Sequence, residues 1–282
     1  NALDEIGPAP ADRRWVHVAD RGADAFEFLS RRCRGRERFV VRVQHDRARV
    51  GAGSLLATVR ATPAVAAWEL VLSATPTRKA REARVCASHT RVTLPPPHNR
   101  RGDYPAVPIE VSVVRVWEPD PPAGVAAVEW VLLTSEEGAT GADVRRVSGW
   151  YERRWVVEEY HKALKTGAGV ERVQVGGRDR LDPAVGVLSV VAVALVNLRG
   201  LAAGGAAGDR PAAGVLPRRW VAVLSAWRHR VVRDLSVTEA VQVLARLGGW
   251  IPRPPPPGWL VLWRGWTRLH TLLELDAATP TM

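Results

Sequence analysis

The chain has 282 residues with a formal net charge of +11 and a pI near 10.9, and 46% of its residues are hydrophobic. That length suits one large domain or two smaller ones, and the apolar share excludes a charge-swollen disordered polymer. The positive excess favours a polyanionic partner, although lysine occurs only at Lys79, Lys162 and Lys165, so an arginine-biased coding composition is the competing explanation.

Residues 15–19 (WVHVA) predict a short strand, ended by Asp20 and turned by Arg21 and Gly22. Residues 23–33 have helical character, and residues 38–44 (RFVVRVQ) read as a second strand beside the first. A carboxylate at a strand's C-terminal edge is placed to reach a crevice in an α/β fold. Residues 46–127 contain short β-prone runs at 55–59, 67–72, 83–87, 89–94 and 109–117, divided by turn-prone or charged residues, and so read as a largely antiparallel β-rich insertion. A further strand is expected at 128–134 (VEWVLLT), followed by a helix from about 142 to 165 that stops at Gly167 and Gly169. Asp182 and Pro183 predict the start of another helix, ending near Gly200. Its apolar run, 184–196, is too short to span a bilayer, so a buried core helix is expected and a membrane partner is not. Residues 202–218 read as a linker, and helices are expected at 219–229, 237–247 and 260–276.

Two cysteines, Cys33 and Cys86, give neither a disulfide scaffold nor a thiolate metal cluster, which fits a reducing, cytoplasmic compartment. No signal peptide is read at the start, and a first residue of Asn rather than Met suits a fragment.

The run YERRWVVEEYHKALKTG carries the chemistry. On one continuous helix at about 100° per residue, Tyr151, Arg154, Glu158 and Lys165 fall within roughly 60° of one another. Val156, Val157, Tyr160, Ala163 and Leu164 then form the opposite, burying face. A carboxylate beside two cations and a phenol suits a phosphodiester held next to a divalent cation. Asp20 is the candidate second ligand, and two such cations about 4 Å apart could activate a water or a 3′-hydroxyl. Trp155 lies near the same stripe and could stack on an unpaired base. An ordinary amphipathic helix with Arg154–Glu158 and Glu158–Lys162 pairs fits the spacing too. Asp20 could simply cap the turn that follows it, Asp24 competes with Asp20, and Glu159 competes with Glu158.

The same run closely resembles the signature helix of the IS4 family of bacterial transposases, Tn5-like branch: Tyr, two residues, Arg, three residues, Glu, six residues, Lys, complete here at Tyr151, Arg154, Glu158 and Lys165. The stretches TGAGVERVQV, VADRGAD around Asp20, VEWVLLT, ARLGGW and PPGWLVLWRGWTRL resemble the same branch, in the expected order. The resemblance implies an α/β fold in which an RNase H-like mixed-sheet catalytic core carries a β-rich insertion and is followed by a C-terminal helical region. Its parts would be 1–45 (core, first strands missing), 46–127 (insertion), 128–201 (core with the signature helix), 202–218 (linker) and 219–282 (helical dimerisation region).

It implies a DDE enzyme that hydrolyses and transfers DNA strands at transposon ends through a hairpin intermediate, with Mg²⁺, or Mn²⁺ in its place, held by Asp20 and Glu158. Tyr151, Arg154 and Lys165 would hold phosphate and terminal DNA, and Trp130 and Trp155 would lie near a flipped base, Trp130 having a core role as its alternative. The partners implied are double-stranded DNA, as transposon ends and target, and a second copy joined through the C-terminal region. The family's first catalytic aspartate is not matched: Asp4 sits in no credible strand. This chain alone is therefore expected to lack normal cleavage. A non-enzymatic DNA-binding or dimerising remnant that inhibits the complete enzyme, and a DDE-like nuclease without transposition, are the rival readings.

Overall fold

The computed structural model describes residues 7, 9–51, 53–72, 79–98, 105–138, 140–253 and 256–278. Asp4 and parts of the 46–127 segment lie outside the described residues. The chain forms two compact units, Asn1–Arg154 and Trp155–Met282.

The first unit is built on a mixed six-stranded sheet in the order β1-β2-β6-β5-β4-β3. Its strands are β1 (Val16–Ala19), β2 (Arg38–Arg42), β3 (Ala66–Leu72), β4 (Arg81–Leu94), β5 (Ile109–Trp117) and β6 (Glu129–Thr134). β1 and β2 are parallel, joined through helix α1 (Phe26–Arg34), and every other pairing is antiparallel. Both faces are covered, so the central strands bury successive residues instead of alternating ones. Val113 with Val114, and Leu132 with Leu133, are all buried. One face holds Phe39, Val41, Val113 and Leu133 against Phe26 and Leu29 of α1 and Leu55 and Val59 of α2 (Leu55–Ala61). The other holds Val40, Val85, Val116 and Leu132 against Val144, Val147 and Tyr151 of α3 (Gly141–Glu152). Among the described residues β1 and β3 are the two edges, and Val71 of β3 is 72% exposed.

Two sequence expectations change here. The run 55–59 is helical: the Ser54 hydroxyl accepts from the Ala57 amide at 3.3 Å, an N-cap that an isolated apolar run does not reveal. The runs 83–87 and 89–94 are one strand, β4, because Ser88 between them is buried and stays in the ladder opposite Arg115. Of the strands of the 46–127 segment, β5 pairs onto β6, and β4 and β3 follow in turn, extending the sheet that contains β1 and β2.

The second unit is helical: α4 (Val156–Lys162), α5 (Arg178–Ala202), α6 (Arg218–His229), α7 (Val237–Leu247) and α8 (Trp259–Ala278). Its core gathers Leu195 and Leu198 of α5, Leu224 of α6, Leu244 of α7 and Leu262 and Leu269 of α8. α7 opens on a reciprocal capping box between Ser236 and Glu239. α7 and α8 pack backbone to backbone at two glycines: a Cβ on Gly248 would overlap the Val261 carbonyl oxygen, and one on Gly265 the Leu244 carbonyl oxygen. Residues 202–218 are tied to the start of α7, with the Ala212 amide donating to the Leu235 carbonyl at 2.8 Å and the Val237 amide to that of Arg210 at 2.9 Å.

α5 corrects the expectation of a short buried helix. It begins at Arg178, a turn before Asp182, runs through Pro183, and buries only Ala192, Leu195 and Leu198. Val187, Val190 and Val193 are exposed, and by length and composition alone the helix could cross a membrane. An unbroken apolar run understates such a helix, because its polar first turn adds length.

Candidate metal and nucleic-acid site

Asp20 follows the last residue of β1 and is exposed. Its Oδ1 accepts from the Gly22 amide at 2.9 Å, capping the 3₁₀ turn Arg21–Ala23. Asp24 has a different role. Its side chain is fully buried, ion-pairs with Arg47, and accepts the Gln44 amide at 2.7 Å, fastening the end of β2 to the turn. Of these two competing acids, Asp24 is structural and Asp20 faces solvent.

Tyr151 and Trp130 meet edge to face, with ring centroids 5.4 Å apart. Tyr151 is buried in the α3 core and Trp130 is half-buried against it. Trp130 is thus partly packed against the sheet's core, and the Tyr151 ring has a core face as well.

The helix expected from 142 to 165 is not continuous. α3 runs unbroken through Gly149 and ends at Glu152, Arg153–Trp155 form a 3₁₀ turn, α4 follows, and Ala163–Gly167 wind as a π-helix. A 3₁₀ segment turns about 120° per residue, so three residues advance the helical phase by roughly 60° relative to an α-helix. The π segment winds the other way relative to α. The two departures act in opposite directions on the phase of the run, and the single expected helix is instead four consecutive segments. Val156 and Val157, expected to bury, are 40% and 49% exposed, whereas Ala163 and Leu164 are buried as expected. Tyr151 and Arg154 belong to the first unit, and Trp155, Glu158 and Lys165 to the second.

Within the second unit the neighbouring acids separate clearly. Glu159 accepts from Lys162 Nζ at 2.8 Å, Arg199 Nη1 at 3.1 Å and Trp259 Nε1 at 3.2 Å. The Arg199 guanidinium also lies 4.4 Å from the Trp259 ring. Burial alone would raise the Glu159 carboxyl, but Lys162, Arg199 and Trp259 outweigh it and hold the group below the usual carboxylate range. Glu158 is exposed one residue earlier. Lys165 pairs with Glu171 at 2.8 Å with both side chains largely in solvent, and Trp155 is 55% exposed.

Hard carboxylate oxygens such as those of Asp20 and Glu158 suit a magnesium ion. Among the described residues no three or more His, Cys, Asp or Glu side chains are gathered as a metal cluster. A cavity of about 370 Å³ in the first unit lies at the opposite end of β1 from Asp20. It is lined by acid–base pairs that largely neutralise one another, Arg38 with Glu136 and Arg91 with Glu110 among them.

One charged group escaped the sequence reading. Glu129, beside Trp130, binds Arg60 and Arg115 across separations of 69 and 14 residues. Only the strand register, with Glu129 opposite Trp117, brings it near Arg115. No protein-family model matches the chain.

Proposed function

We propose that the chain carries catalytic residues of a DDE-type DNA transposase of the Tn5-like kind, with an RNase H-like core. The observation that carries this reading is the complete Tyr151–Arg154–Glu158–Lys165 pattern in a chain that also places Asp20 just past the C-terminal end of an edge strand. The burial of the neighbouring acids supports it: the Asp24 side chain is buried and that of Glu159 largely so, while Asp20 and Glu158 are exposed.

In this reading Asp20 and Glu158 would hold Mg²⁺, which would supply charge neutralisation and an acidified water. Arg154 and Lys165 grip phosphates, and Trp155 stacks on an unpaired base. Water cleaves one strand at the transposon end, the released 3′-hydroxyl attacks the opposite strand to form a hairpin, a second hydrolysis opens the hairpin, and the freed 3′-hydroxyl joins target DNA. The chemistry needs a third carboxylate, and none of the residues assigned here supplies it. Pairing of two copies through the C-terminal helices is part of the same proposal. An apolar groove of about 340 Å³ between α6 and α8, lined by Val223, Trp227, Val232 and Leu272, supports it.

The test compares this chain with a version extended upstream, assayed for Mg²⁺- and Mn²⁺-dependent nicking and hairpin formation on transposon-end DNA. Activity confined to the longer protein, and lost in its Glu158→Gln variant, is the expected result. Hairpin formation by the Glu158→Gln protein at the parental rate would sink the Glu158 assignment, and cleavage by the shorter chain would sink the claim that a carboxylate is missing.

A further inference from the structure

The corner of the first unit where the end of α2 meets β5 and β6 holds an arginine cluster built around one acid. Arg60 donates to Glu129 through Nε at 3.2 Å and Nη2 at 2.7 Å, and Arg115 donates through Nε at 2.9 Å. Arg42 Nη2 donates to the Glu129 main-chain oxygen at 3.1 Å. The Arg115 guanidinium lies over the Trp117 ring, 4.2 Å from its centroid, with the Arg115 side chain only 14% exposed. Asp46 is the other nearby acid, close enough to bias Arg60, and its Oδ1 also accepts the Leu56 amide at 2.9 Å. On this face the Arg60 and Arg115 guanidiniums are matched by Glu129 and Asp46, while Arg42, opposite Leu132, lies on the α3 face.

Arg60 has the geometry of a presenting group. Its side chain is 52% exposed although Glu129 holds it from behind. The bonds to Glu129 use Nε and Nη2, so the Nη1 hydrogens are not committed to that carboxylate. A guanidinium already fixed in orientation loses less entropy when it takes a second planar or tetrahedral anion. Anchoring α2 to the sheet would account for a single Arg60–Glu129 pair. It does not account for bringing a second guanidinium, Arg115, onto the same acid at a cost in like-charge repulsion.

The strand register places this corner relative to Asp20. Ala19 is opposite Val41, the next residue Arg42 is opposite Leu132, and Leu132 is opposite Val114. Arg115 is thus one residue beyond the level of Asp20 and three strands away, roughly 14 Å at about 4.8 Å per strand. Duplex backbone covers that span in roughly four nucleotides at about 3.4 Å each. Arg115 and Glu129 share the sheet face of Val113 and Val131, the one covered by α1 and α2 and opposite to α3.

We infer that the Arg60–Glu129–Arg115 corner is a second, sequence-independent contact for the phosphodiester backbone of duplex DNA, on the sheet face away from α3. Arg60 meets the phosphate, and Glu129 with Trp117 fixes the guanidiniums. The inference rests on the transposase reading for the identity of the polyanion.

The experiment measures binding of a fluorescein-labelled duplex of arbitrary sequence to the full chain by anisotropy, across about 50 to 200 mM salt. Arg60→Gln is expected to weaken binding about tenfold at the low end and to reduce the salt slope by roughly one. Glu129→Gln, which removes the central negative charge, is expected to tighten binding. Arg154→Gln serves as the reference for the signature run, and thermal melts establish that each variant is folded. An unchanged affinity and slope in Arg60→Gln, with Arg154→Gln weakened, would overturn this contact and leave the DNA reading standing. No binding by the parent chain at low salt would overturn the DNA reading and this contact with it. Should Glu129→Gln melt at the assay temperature, the exposed Arg60→Gln variant alone decides the question.

Discussion

The adjacent acids Glu158 and Glu159 should respond in opposite ways to the same substitution. Glu159→Gln removes the charge that three donors share. The Lys162 partner is 60% exposed and contributes little after solvent screening. Arg199 is 30% exposed and the Glu159 side chain 17%, so that bond is worth more, and Trp259 Nε1 must keep a partner in a buried indole. Weakening one charge-assisted bond and one indole bond, with the amide recovering part of each, gives a loss of about 2 to 3 kcal/mol. In a unit of this size that is roughly 8 to 12 °C in Tm. Glu158→Gln, at an exposed position where solvent screens its interactions, should cost less than about 1 kcal/mol. The pH dependence has a definite sign. The folded Glu159 pKa is lowered, so its contribution is fully present above the unfolded value, about 4.3, and is lost as pH falls through the folded value. Glu159→Gln should therefore flatten the acid limb of the stability profile below about pH 4.3. Calorimetric melts of the parent and both variants from acid to neutral pH test this. Equal melting losses in the two variants, or an unchanged acid limb in Glu159→Gln, would refute the assignment of Glu159 as the structural member of the pair.

The two aspartates of the first unit should separate in the same way. Asp24→Asn leaves the Arg47 charge without its buried partner and should cost about 3 to 5 kcal/mol, whereas Asp20→Asn loses part of one cap, about 1 kcal/mol; chemical denaturation reads both. Gly265→Ala forces α8 away from the Leu244 carbonyl, a backbone atom that cannot rotate aside, and should destabilise the helical unit by about 1 to 3 kcal/mol. Gly176→Ala, with open space around its Cβ position, is the matched control. Ser236→Ala should cost about 1 kcal/mol by removing the α7 cap, seen as a lower denaturation midpoint with unchanged slope.

Strand β5 and helix α7 were readable to the residue because each carries its own boundary marks: a β-branched run in β5, and the Ser236–Glu239 box before α7. A mixed sheet followed by a helical region was legible for the same reason, element by element. The run 55–59 was not, since a short apolar stretch satisfies a strand and a helical turn equally until Ser54 is seen to cap it. The breaks in the signature run were not legible either. Its spacing was read on an ideal α-helix, and the 3₁₀ and π segments at 153–155 and 163–167 alter the phase without any proline to announce it. The choice between Glu158 and Glu159 depended on Arg199 and Trp259, both remote in sequence. The Arg60–Glu129–Arg115 corner was invisible for that reason too, as its members meet only through the pairing of β5 with β6.

The outer edge of β3 has a bearing on how the protein behaves at high concentration. AAWELVL is short, β-prone and apolar, and Glu69 is its one charge. A strand of that composition at the rim of a sheet is a template onto which another chain can add. Glu69, opposite Arg84 in the neighbouring strand, is the gatekeeper that makes such addition costly. Colloidal stability of the purified chain should therefore depend on this single carboxylate more than on the large net charge: an apolar residue in its place would favour fibrillar association even though the molecule as a whole grows more cationic.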